Sequence, residues 1–218
     1  MNRKRRCEGK SGCYDALFFD FDSVILKSSD IKVKTFRALY REYGLRVVEA
    51  ACAHHKALDG MSRRQKIRYC HARLLGVTLS KPGLDLLAHR FSGLVEDAVL
   101  ACAWVPGAEV LLEREWNRGC LARFVVSAAP ESELRNVVER RELRRYFLAV
   151  RSVPTKKVSI IRAFLHEHDV MPRRALFVGD ATGDLDAAGA TELRVALGKV
   201  SPFPPGTQVV SDLTRLKL

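Results

Sequence analysis

The sequence lacks a long apolar run. Its longest, Ala98 to Ala108, contains Pro106 and falls well short of the ~18 residues that a membrane helix needs, so no transmembrane segment is expected. The six cysteines include no C-x-x-C pair. A paired-cysteine zinc module is therefore not expected, and a reduced, cytoplasmic protein is the simplest expectation. Internal repeats and low-complexity tracts are also missing, which excludes a solenoid. Arg3-Lys4-Arg5-Arg6 could open a signal peptide, but Glu8-Gly9-Lys10-Ser11-Gly12 stands where an apolar stretch is required. Secretion is not expected, and residues 1–13 read as a basic N-terminal tail. Acidic residues are in deficit, 25 against 37 Lys and Arg, which gives a formal charge of +12. Such a field attracts nucleic acids, anionic membranes and anionic metabolites alike. Much of the charge falls on stretches such as Arg135, Arg140, Arg141, Arg144 and Arg145, which read as solvated helix surface. Neither a nucleic-acid nor a membrane partner is expected from it.

What is present is enough apolar residue, 47% of 218, to bury a core as one domain or as one domain with an insertion. The first strand signal is the run Ala16 to Phe21, of the kind that is buried on both faces of a parallel sheet. From Asp30, the residues Phe36, Leu39, Tyr40 and Tyr43 recur at helical spacing until Gly44 closes the segment. Helical pattern then continues to about Trp104, with Leu84, Leu87, Ala88, Phe91, Leu94 and Val95 marking one helix.

After Pro106-Gly107 the elements alternate. Helices are expected over 108–116, 131–145, 157–168 and 185–189, with strands over 121–126, 146–150, 175–178 and 193–197. Alternation of this kind predicts an α/β fold, a Rossmann-like parallel sheet flanked by helices. Residues 14–26 and 105–218 form its core, and residues 27–104 interrupt it as an all-helical cap. Pro202, Pro204, Pro205 and Gly206 predict a rigid loop before the last segment.

Polar residues gather at four expected strand ends: Asp20 and Asp22, then Ser127, then Lys156-Lys157, then Gly179-Asp180 with Asp184. In a parallel sheet all these ends share one edge, where ligands of open α/β sheets bind. Asp20 lies inside an apolar run, where an unpaired charge is costly to bury. Several carboxylates brought together cannot all stay ionised without a countercharge. Oxygen ligands without His or Cys suit Mg²⁺, which also takes a phosphate oxygen. A lysine and a serine hydroxyl complete a receptor for phosphate. Ser127 also fits an N-cap ahead of Pro130 and Glu131.

Phe19-Asp20-Phe21-Asp22-Ser23-Val24, Val125-Val126-Ser127, Lys157 and Val178-Gly179-Asp180-Ala181-Thr182-Gly183-Asp184 resemble, in order, the four motifs of the haloacid dehalogenase superfamily. The resemblance is to its capped phosphoglycolate phosphatase and β-phosphoglucomutase-like members. It implies that Asp20 attacks phosphorus to form an aspartyl phosphate, while Asp22 protonates the leaving oxygen and then activates water. It also implies Mg²⁺ held by Asp20, the Asp22 carbonyl and Asp180, with Asp184 as a further ligand or its orienting neighbour. Ser127 and Lys157 would hold the phosphoryl oxygens, with Ser23 and Ala128 against the substrate. Lys157 rather than Lys156 is favoured as the motif lysine because it directly precedes the periodic set Ile160, Ile161, Phe164 and Leu165. The chain departs from the pattern at Ser23, where relatives carry glycine, and at Lys27, where many carry an acid. Ser23 lacks glycine's freedom at positive φ, so a strained turn or an altered substrate contact is expected there.

Within the cap, Asp59-Gly60-Met61-Ser62-Arg63-Arg64 reads as a turn opening a basic helix. Its position resembles a specificity loop in which Arg63 and Arg64 face an anionic substrate. His54, His55, His166 and His168 have no companions at useful spacing and are expected to pack or face solvent. The function implied is a Mg²⁺-dependent phosphohydrolase acting on a small phosphorylated metabolite, a sugar phosphate or a phosphoglycolate-like acid. Rival readings are a phosphomutase with the same residues, a phosphorylation-dependent receiver, and a basic nucleic-acid-binding protein on a disused phosphatase scaffold.

Overall fold

A computed structural model describes residues 14–58, 61–197 and 207–218. The expected tail, the Asp59-Gly60 turn and the proline loop at 202–206 lie outside the described residues. The chain divides into two compact units. One runs to Lys27 and resumes at Ala103, and the other is Ser28–Cys102.

The first unit is built on a six-stranded, all-parallel sheet of order β3-β2-β1-β4-β5-β6. Its strands are β1 (Ala16–Phe19), β2 (Ala122–Pro130), β3 (Ala149–Val153), β4 (Ala175–Gly179), β5 (Arg194–Leu197) and β6 (Gln208–Val209), and its helices are α5 (Ala108–Arg118), α6 (Glu131–Arg140), α7 (Lys157–Glu167) and α8 (Thr182–Gly189). The second unit holds the four preceding helices, α1 (Ser29–Leu39), α2 (Leu45–Ala57), α3 (Arg63–Leu74) and α4 (Lys81–Ala101). The fold is the α/β, Rossmann-like one with an inserted all-helical part. No helix is long and apolar enough to cross a membrane among the described residues.

Successive strand residues point to opposite faces, and β1 uses both. Phe18 stacks on Phe124 at 5.0 Å, and Phe124 in turn stacks on Phe164 of α7 at 4.6 Å. Phe19 turns the other way, to the edge of the Phe147 ring at 6.2 Å. All four β1 residues are fully buried, which explains why the run shows no polar alternation.

Chain order places β2 and β3 on one side of β1, then crosses to place β4, β5 and β6 on the other. Such a reversal opens a crevice at the carboxyl ends of β1 and β4. The entry and exit of the helical unit are joined by backbone pairing, since the Lys27 N–H donates to the Ala103 carbonyl at 2.8 Å and the Val105 N–H to the Ile25 carbonyl at 3.0 Å.

Three elements differ from expectation. The strand predicted at 146–150 is shifted to Ala149–Val153, because Leu143 and Tyr146 bury their side chains from a 3₁₀ turn, Leu143–Tyr146, that ends the shortened α6 segment. Ser127 sits inside β2 rather than after it. It therefore does not cap α6, whose N-cap is Pro130 with no side-chain bond. β6 was not anticipated. Cys52 and Cys70 are buried free thiols.

Inside the helical unit, Phe36 meets Phe91 edge-on and stacks on His55, each at 4.8 Å, and His54 stacks on Tyr69. α4 buries Leu84, Ala88, Phe91, Val95 and Val99, while Leu94 is 39% exposed.

Candidate active site

Asp20 is the first residue beyond β1. Its N–H donates to the Val178 carbonyl of β4 at 2.9 Å, so the backbone itself ties the acid to the neighbouring strand end. The side chain is buried, and Oδ1 accepts no hydrogen bond among the described residues. Lys157 Nζ stands 3.1 Å from that oxygen as an ion pair outside hydrogen-bond geometry. Burial, opposed in part by Lys157 but reinforced by the charges of Asp184 and Asp22, pushes the Asp20 carboxyl up to about 7. Lys157 alone does not offset the burial of this charge and the repulsion of its acidic neighbours.

Lys157 opens α7, and its Nζ donates to Asp184 Oδ1 at 2.5 Å. Burial alone would lower its pKa, but the Asp20 and Asp184 carboxylates outweigh burial and hold it above the ordinary lysine value. Lys156 is the exposed N-cap of the same helix. Of the two adjacent lysines, Lys157 is the one that reaches the acids.

Asp184 has no exposed surface. Its Oδ2 accepts the backbone N–H groups of Asp180 and Ala181, each at 3.1 Å. An acid three residues into a helix commonly reaches back to free amides at the N-terminus in this way, and here the bond also fixes the loop that carries Asp180. Gly179 makes the arrangement possible, since a Cβ there would fall 2.5 Å from the Asp184 Cβ. Sequence reading passed over this role of Gly179. Its only signal was a glycine immediately before the acid.

One carboxylate oxygen each from Asp20, Asp180 and Asp184 lies within 4.8 Å of the others. Two ligands of Mg²⁺ stand at most about 4.2 Å apart across the ion, so a small adjustment of side chains suffices. The donors are all hard oxygens, and a buried one at Asp20 is unsatisfied. The set fits Mg²⁺.

The remaining expected residues are placed as follows. Asp22 is half-buried and its backbone bridges to Leu26. Ser23 follows in the left-handed region with φ of 63°. Ser127 is buried, and its Oγ accepts the Ala129 N–H at 3.1 Å. Ala128 is exposed. Arg63 and Arg64 belong to the helical unit and have partners there. Arg63 bonds Ser92 and lies 4.7 Å over the Phe91 ring, and Arg64 pairs with Asp85.

Fold and site together define an α/β protein with a lysine-bridged carboxylate cluster at the switch point of its sheet. The model of the haloacid dehalogenase-like hydrolase family matches residues 17–197, and the chain belongs to that family. No curated protein matches the sequence. Among solved structures it is similar to the HAD-hydrolase YfnB from Bacillus subtilis bound to magnesium (16% identity, TM-score 0.73, covering 93% of this chain and 96% of that one). It is also similar to CbbY from Rhodobacter sphaeroides in complex with xylulose-(1,5)bisphosphate (17%, 0.70, 93% and 96%). A third, from Thermotoga maritima, is assigned as a β-phosphoglucomutase (16%, 0.69, 90% and 94%).

Proposed function

We propose that the chain is a Mg²⁺-dependent phosphohydrolase that acts on a small phosphomonoester through an aspartyl phosphate. The observation that carries this reading is the meeting of Asp20, Asp180 and Asp184 around one point with Lys157 bound into the cluster. The family and its solved relatives, one bound to magnesium and one to a sugar bisphosphate, support the same class of chemistry.

Phosphate monoesters hydrolyse extremely slowly unaided, so a covalent route that divides the displacement into two steps is of advantage. The Asp20 carboxylate attacks phosphorus, the P–O bond to the leaving group breaks, and Asp22 gives that oxygen its proton. In the second step Asp22 takes a proton from water, and the water oxygen attacks phosphorus to free Asp20 and inorganic phosphate. Lys157 faces the phosphoryl oxygens as a fixed positive charge, and Ser127 Oγ offers a hydroxyl donor to them. Asp184 holds Lys157 and the Asp180 loop, so it acts on position more than as a ligand. Asp20, the Asp22 carbonyl and Asp180 would hold Mg²⁺, which would supply charge neutralisation for the acids and for phosphate. Contact of Arg63 or Arg64 with substrate would come at the loss of Ser92 or Asp85 as partner. The proposed setting is the cytoplasm.

The test is phosphate release from a panel of phosphorylated metabolites, with Mg²⁺ and with EDTA, by the intact chain and by Asp20→Asn. Release that requires both the metal and the acid is expected. Release that survives EDTA and the substitution contradicts the mechanism, and return of phosphate to a second sugar hydroxyl in place of release would mark a mutase.

A further inference from the structure

Ser23 is held in a conformation that suits a different residue. Its φ of 63° lies in the left-handed region, which an L-residue with a Cβ enters at a cost that glycine avoids. The turn that imposes it is fixed on its far side. Val24, Ile25 and Leu26 are buried, the Ile25 N–H donates to the Phe21 carbonyl at 3.0 Å, and the Ser23 N–H donates to the Leu26 carbonyl at 2.9 Å. The backbone would therefore be kept by glycine at least as well.

The serine hydroxyl does no internal work to offset that cost. Ser23 is half-buried, and its side chain makes no hydrogen bond among the described residues. Serine at such a position would usually turn its oxygen onto a nearby backbone group. A strained residue with an unused polar group, on the turn that carries Asp20 and Asp22 past the end of β1, points to a role in the site.

We propose that the Ser23 hydroxyl hydrogen-bonds the leaving group and selects polyol or sugar phosphates over alkyl phosphates of the same size. The proposal rests on the phosphohydrolase reading above. A hydroxyl beside the ester oxygen offers both a donor and an acceptor, which the Ser23 hydroxyl matches with either of its own. An alkyl leaving group offers neither.

The experiment compares kcat/KM for polyol phosphates, propyl phosphate and p-nitrophenyl phosphate in the intact chain, Ser23→Ala and Ser23→Gly. The intact chain should prefer polyol phosphates to propyl phosphate, and both variants should shrink that preference by about tenfold, as expected for one lost neutral hydrogen bond. Ser23→Gly should also melt a few degrees higher as the left-handed strain is relieved, which separates the hydroxyl's role from the turn's. A preference unchanged in Ser23→Ala, or a Ser23→Gly that melts lower, would overturn the inference and leave the phosphohydrolase reading standing. An intact chain inactive on all three classes with Mg²⁺ would overturn the phosphohydrolase reading itself.

Discussion

Two charged clusters, one in each unit, treat their side chains in opposite ways. In the α/β unit, Asp20 and Asp184 are buried at the sheet edge with the partly buried Lys157 between them, and Asp20 is pushed toward its neutral form by burial and by its acidic neighbours. In the helical unit, Arg64 and Asp85 are each about half exposed and are matched as a pair, and Arg63 lies on Phe91 with Ser92 as its partner. A half-exposed ion pair needs no further ligand. A buried cluster with an unsatisfied oxygen is kept at the expense of stability, and such expense marks the site. The contrast teaches that the cost of a charged group, rather than its presence, locates the chemistry.

The largest effect should come from Lys157→Ala, which leaves the fully buried Asp184 without its counter-ion. A loss of about 3 kcal/mol in urea unfolding at pH 7.5 and a fall in kcat of at least about a hundredfold are expected. Near-normal stability would show that the cluster is less buried in conflict than described. Next in size is the response to pH. The folded-state value of Asp20 is raised from 3.8 to about 7, so the folded protein binds that proton more tightly than the unfolded chain does. Stability from this group is fully present below about pH 4 and is lost as pH rises through about 7. In EDTA, Asp20→Asn should therefore be more stable than the intact chain at pH 7.5, by on the order of 2 kcal/mol. Thermal melts should show the gap closing toward pH 4, and a gap that widens on acidification would contradict the sign.

Gly179→Ala should cost about 1–2 kcal/mol, the typical effect of overpacking, because its new methyl group meets Asp184. It should also weaken Mg²⁺ binding, since Asp184 holds the Asp180 loop. The smallest effect belongs to the helical unit, where Arg64→Ala should change stability by no more than about 0.5 kcal/mol. A larger loss there would erase the contrast between the units.

Much of this contrast was legible in the sequence because strand ends are punctuated. The unbroken apolar run before Asp20 announced a central strand, and the GD-x-x-x-D spacing of Gly179, Asp180 and Asp184 followed a second one. The order of the four motifs placed Lys157 with them. β3 was misplaced because it is an edge strand whose alternate residues are exposed, while the denser apolar stretch before it serves a 3₁₀ turn. β6 is two residues long, too short for periodicity to register. Within the site, the sequence carried residue types but no directions. Nothing in it showed that Asp184 turns one oxygen to two backbone amides, that Gly179 must lack a Cβ, or that Ser23, whose strained turn was expected, leaves its hydroxyl unused. In the helical unit, Arg63 and Arg64 read as free cations because Ser92 and Asp85 lie 29 and 21 residues further along the chain.

The central claim is that an acid from the start of the chain and one from near its end hold the same cation. Calorimetric titration of Mg²⁺ into the metal-free chain tests it most directly, alongside Asp20→Asn, Asp180→Asn and, as a control in the other unit, Arg64→Ala. The account predicts one site per chain, weakened about tenfold or more by either aspartate substitution and untouched by the arginine one. Mg²⁺ binding that is indifferent to both Asp20→Asn and Asp180→Asn would contradict it.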